Sequence, residues 1–159
     1  MQYVRSIFLV LICNLMLACT AIGMCDSPLH LAIRNCSPIE NIETVLATGI
    51  KPNLRNQKGK TALYLAIKIG GNSSVISTLL NAGANPDIPC ATDMAPLHRL
   101  LYYGSALLQK ESLSVLLHAN VDLEKRNHKN RTPLEFAANH YARAMLVRML
   151  LEAGASLVQ

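Results

Sequence analysis

Hydrophobic residues in this chain come in short bursts at helical spacing, separated by polar stretches rich in Gly, Asn and Lys. Leu29 and Ile33, Leu63 and Ile67, Leu97 and Leu101, and Leu134 and Ala138 each lie four positions apart, on one face of a helix. The bursts align as SPLHLAI (27–33), TALYLAI (61–67), APLHRLL (95–101) and TPLEFAA (132–138). Their second residues, Pro28, Ala62, Pro96 and Pro133, are 34, 34 and 37 apart. A second block follows each one: VLATGI (45–50), LLNAGA (79–84), LLHANV (116–121) and LLEAGA (150–155), repeating at 34, 37 and 34. One three-residue insertion between Leu101 and Leu116 explains both series, and YYGSALLQKES (102–112) reads as a lengthened turn between helices. The pattern predicts four helix pairs, with the second helix of each pair closed by a left-handed residue. Gly49, Gly83 and Gly154 supply that residue, and Asn120 takes the place in the third unit. Thr61 and Thr132 are placed to cap first helices, while Pro28, Pro96 and Pro133 suit the first turn, where no backbone donor is lost.

These blocks resemble the ankyrin repeat family over about residues 25–159, with units at about 25–54, 55–88, 89–123 and 124–159. The family's Thr-Pro-Leu-His, Ala and Leu-Leu-x-x-Gly-Ala pattern matches closely in units two and four. The resemblance implies an all-α solenoid of helix-turn-helix units joined by short β-hairpin-like fingers. It also implies a protein-binding role for the concave face formed by fingers and first helices. The residues projecting there by this likeness are Gln57, Lys58, Lys60 and Lys68 from unit two, and Thr92, Met94, Tyr102 and Tyr103 from unit three. Unit four contributes His128, Lys129, Arg131, Asn139 and His140. His30 and His98 hold the family's TPLH histidine position, where a structural hydrogen bond is the expected role. Leu80 reads as a core position of a second helix.

The first 23 residues stand apart from the repeats. After Arg5, the run from Ser6 to Met24 carries no charge over 19 residues, and Ile7 to Ala18 is almost wholly apolar. Three readings are open: a cleaved signal peptide with small residues at Ala21 and Gly23, an uncleaved membrane anchor, and a lipoprotein-like segment lipidated at Cys19. Each sends the chain out of the cytoplasm, to a secreted, periplasmic or envelope-associated place.

Composition narrows the chemistry. The chain has 159 residues, 51% hydrophobic and only 4% aromatic, so its core must be aliphatic, which suits close-packed short helices. Its net charge of +5 comes without the dense basic stripe and stacking aromatics of a nucleic-acid binder. The five histidines, at 30, 98, 118, 128 and 140, never stand at metal-ligand spacing with one another or with Cys. Gly70-Gly71-Asn72 lacks the Lys of a phosphate loop. No catalytic constellation, metal set or cofactor motif emerges, so the reading is a non-enzymatic monomer without cofactor. Cys25, Cys36 and Cys90 are too dispersed for an internal disulfide, and Cys36 reads as a buried small hydrophobe.

The function expected is therefore an exported or envelope-associated protein-interaction module. Lys58, Lys60, Lys125, Arg126, Lys129 and Arg131 cluster on two fingers and would suit an acidic partner surface. A bacterial effector or immunity-type protein and a membrane-tethered scaffold are the alternatives.

Overall fold

The computed structural model describes residues 26–70, 72–92, 94–102, 106–138 and 144–156, with backbone alone at 106–108. Eight helices run through the described residues: α1 Pro28–Arg34, α2 Ile39–Ala47, α3 Ala62–Lys68, α4 Ser73–Asn81, α5 Pro96–Tyr102, α6 Ala106–His118, α7 Pro133–Ala138 and α8 Ala144–Glu152. Odd-numbered helices stack on odd, even on even, and each pair packs together within its unit. The result is a two-layer, all-α solenoid, with no strand among the described residues.

Each boundary follows from the sequence. The Thr61 hydroxyl accepts from the Tyr64 amide (3.2 Å), and Thr132 does the same for Glu135 (3.2 Å). Glu135 returns a carboxylate to the Thr132 amide (3.0 Å), completing a capping box. At the far ends, Gly49, Gly83, Gly154 and Asn120 all have positive φ. The next residue folds back under the helix, with the Ala84 and Ala155 amides donating to Leu79 and Leu150 carbonyls (2.9 and 3.0 Å).

The core lies between the layers. Leu29, Leu63, Leu97 and Leu134 fill it from the first helices, and Ile42, Ile76, Leu113 and Leu146 from the second, all fully buried. A second buried row, Val45, Leu79, Leu116 and Leu150, runs parallel to it. With 25 cal/mol per Å² or so for apolar area removed from water, such continuous aliphatic rows are the main favourable term.

Four sequence expectations change here. Leu79, not Leu80, is the core residue of α4; Leu80 is half-buried because it falls one position round the helix, toward the outer groove. Cys36 is exposed, because it takes the left-handed position after α1 (φ 49°), which turns its side chain away from the layers. Ala138 is exposed at the last position of α7. The three extra residues of unit three extend a helix rather than a turn: α6 has 13 residues where α4 has 9. The segment expected to be a targeting or anchoring element, including Cys19, lies outside the described residues. No helix among the described residues is long and apolar enough to cross a membrane.

Candidate binding face

The fingers are held by an asparagine at the base of the loop. Asn56 Oδ1 accepts from the Lys58 and Lys60 amides, both at 3.0 Å. Asn127 repeats the arrangement in unit four, accepting from Lys129 (2.9 Å) and Arg131 (3.1 Å). The Asn56 and Asn127 amides close each loop onto the Lys60 and Arg131 carbonyls, giving hairpin-like turns. Gly59 and Asn130 stand at positive φ in these turns. A Cβ on Gly59 would come within 3.0 Å of the Ala91 Cβ, so the second and third fingers touch at this point.

In the third finger, Cys90 replaces the asparagine. Its buried sulfur lies 3.0 Å from the Thr92 hydroxyl. Burial alone would raise this thiol, but hydrogen bonds from the Thr92 and Tyr64 side chains and from the Thr92 and Met94 backbone outweigh it and lower its pKa. Tyr64 is correspondingly pushed up, chiefly by burial. Among the described residues no group of three His, Cys, Asp or Glu side chains converges as a metal site.

Histidines tie first helices to the next finger. His30 Nε2–H donates to the Lys60 carbonyl (2.8 Å), and His98 Nε2–H to the Arg131 carbonyl (3.0 Å). At another register, a side-chain acceptor just beyond each of α2, α4 and α6 reaches the backbone just beyond the next even-numbered helix. Asn53 accepts from the Asn85 amide (2.7 Å), Asp87 from Asp122 (2.9 Å) and Glu124 from Ser156 (2.8 Å). Both ladders fix the spacing between fingers, so the side chains they carry are held on a regular backbone.

The expected contact residues divide three ways. Gln57, Lys58, Lys68, Thr92, Tyr102, His128, Lys129 and Arg131 are exposed, and Lys60 and Met94 half-buried. Tyr103, Asn139 and His140 lie outside the described residues. Of the exposed set, Thr92 already engages Cys90, and Tyr102 packs between the Arg99 guanidinium (5.9 Å) and the Phe136 ring (6.0 Å). Arg126 turns to its own finger, donating to the Asn130 carbonyl (2.6 Å) and pairing with Glu135 (3.7 Å).

Lys58, Lys60 and Lys68 are brought together. With Arg34, Asn56, Leu65 and Ile69 they line a concave pocket of about 370 Å³ between units one and two. Arg34 was not foreseen, because unit one has no finger before it. The signal was nonetheless present: Arg34 and Lys68 are 34 residues apart, at the same register of neighbouring units.

Residues 29–127 match the family model described as ankyrin repeats in three copies. The chain is 36% identical over 87 residues to FPV014 of fowlpox virus (strain NVSL), which is named for its ankyrin repeats, covering 54% of this chain and 19% of that protein. It is 31% identical over 98 residues to FPV024 of the same virus, likewise named, covering 60% and 16%. It is also 26% identical over 133 residues to the inactive serine/threonine-protein kinase TEX14 of Bos taurus, covering 84% and 8%. The chain thus spans less than a fifth of the length of each of these relatives. With the family match over more than half its length, four helix pairs in register and second helices closed by Gly or Asn at positive φ, the chain belongs to the ankyrin repeat family, whose repeats mediate protein–protein contact.

Proposed function

We propose that this protein acts outside the cytoplasm as a non-enzymatic binding module, holding an acidic surface of a partner protein on its concave face. One observation carries the reading of that face. Lys58, Lys129 and Arg131 project from fingers whose backbones are clamped by Asn56 and Asn127. Cations on a fixed scaffold lose little conformational freedom in their backbone on binding, and they steer an oppositely charged partner into register. The placement outside the cytoplasm rests on the charge-free run from Ser6 to Met24.

The test uses the full chain, tagged at its C-terminus and made in a secreting host. Intact-mass analysis is expected to show loss of about 23 residues, or a lipidated species beginning at Cys19. Full-length protein confined to the cytoplasm would overturn the export reading. Crosslinking followed by mass spectrometry is expected to place partner residues on the fingers and first helices. Crosslinks confined to the second-helix layer would overturn the assignment of the face.

A further inference from the structure

The pocket between units one and two concentrates positive charge with little to balance it. Arg34, Lys58, Lys60 and Lys68 reach it from two units, and none of its lining residues is acidic. Arg34 is paired with Asp26, and the Lys60 ammonium lies over the Tyr64 ring, 5.9 Å from its centroid; three lysines, Lys58, Lys60 and Lys68, line the cavity beside them. Partial burial first, and then repulsion from the adjoining Lys68 ammonium, lower the Lys60 pKa from the ordinary lysine value, with Cys90 opposing and Lys58 adding a smaller share. An anion entering the pocket relieves that repulsion. A single carboxylate cannot balance three ammonium groups, whereas two from neighbouring side chains on an extended segment come close. Apart from Asn56, the remaining wall is apolar: Leu65 is 8% exposed and Ile69 45%, an aliphatic surface beside the charges.

From this arrangement we propose that the pocket is a specificity site for a short acidic segment of a partner protein. The segment would place two adjacent Glu or Asp side chains against Lys58, Lys60 and Lys68, and one aliphatic side chain against Leu65 and Ile69. The proposal rests on the concave face being the binding face, and it narrows that reading to one pocket and one peptide chemistry. The fourth finger, with Lys129 and Arg131, belongs to a different unit and does not line this pocket.

Fluorescence anisotropy with the full chain and a labelled Glu-Glu-Leu-Glu peptide tests it, against the Gln-Gln-Leu-Gln counterpart. The glutamate peptide is expected to bind and the glutamine peptide not to. Lys58→Glu combined with Lys68→Glu is expected to weaken binding by about tenfold or more. Lys110→Glu, an exposed charge of α6, is expected to change it by less than about twofold. Should the first variant lose its thermal transition, Lys58→Gln with Lys68→Gln replaces it, with the same direction of effect. Three results would overturn the pocket: no binding of the glutamate peptide, equal weakening by Lys110→Glu, or full displacement by inorganic phosphate at matched concentration. Weakening by Lys129→Glu with Arg131→Glu but not by the pocket variant would also overturn it while leaving the concave face intact. Failure of the face itself would be read separately, from the crosslinks to the partner.

Discussion

His30 and His98 occupy one register of units one and three, and one difference between their surroundings is a hydroxyl beside Nδ1. Both donate from Nε2 to a finger carbonyl, so the hydrogen resides there and Nδ1 is left as an acceptor. Ser27 lies 2.6 Å from His30 Nδ1 and supplies the donor. In unit three that position is Ala95, and His98 Nδ1 is buried with no hydrogen-bond partner. A buried polar atom without a partner costs on the order of 1–3 kcal/mol. Ala95→Ser is therefore expected to stabilise the fold by about 1 kcal/mol, read from the urea midpoint at unchanged slope. A destabilising Ala95→Ser would mean that the site has no room for the hydroxyl. Both histidines also have lowered pKa values, chiefly because burial disfavours the imidazolium. The sign follows from linkage. The unfolded chain takes up these protons first, near the ordinary value of 6.5, so the stabilisation is complete above that pH. It is lost progressively as pH falls from there through the lower folded-state values. Urea titrations are expected to show a declining midpoint below about pH 6.5, and replacing both residues by Gln is expected to flatten that decline.

At the scale of helices, α4 offers the cleanest contrast. Leu79 is fully buried between the layers, whereas its neighbour Leu80 is half-buried beside an outer groove. Leu79→Ala is expected to cost about 2–5 kcal/mol and Leu80→Ala about 1 kcal/mol or less, by chemical denaturation. Equal costs would contradict the assigned rotation of the helix. The error over Leu80 has a physical root. Both leucines belong to the repeating block, and a repeat fixes which positions correspond without fixing which faces inward. By contrast, Thr61, Thr132, the three closing glycines and Asn120 were legible, because each answers a local backbone demand that its own chemistry meets. Cys36 was missed for the opposite reason: a left-handed cysteine is not a pattern that side-chain type announces. The extra residues of unit three could have entered a turn or a helix by length alone. The helix absorbs them because Leu113 and Leu116 keep their places in the core. The ladder of Asn53, Asp87 and Glu124 was likewise hidden, since three residue types do one job at one register.

Across the described residues, two separated groups of cations belong to the fingers and first helices. One is the pocket of Lys58, Lys60 and Lys68; the other is the fourth finger with Lys129 and Arg131. The first was partly legible, since three of its cations stand out in the sequence, but their convergence required the stacking of unit two on unit one. Because each unit touches mainly its neighbours, altering the fourth finger leaves the first units undisturbed. The two places should therefore act differently on a captured partner. Lys129 and Arg131 are exposed on a finger tip, where solvent and salt screen their charge. Such charges act over distance during encounter and contribute little once contact is made. Reversing both to Glu is expected to slow association by about tenfold at low salt and to flatten its dependence on ionic strength, with dissociation changed by less than about twofold. Stopped-flow measurements at several salt concentrations check this. The Asn127 clamp uses only backbone amides of residues 129 and 131, so the finger's shape survives the substitutions. An unchanged association rate would remove the fourth finger from the path of the partner. A faster dissociation at constant association would make it a contact site in its own right, equal in kind to the pocket of the first two units.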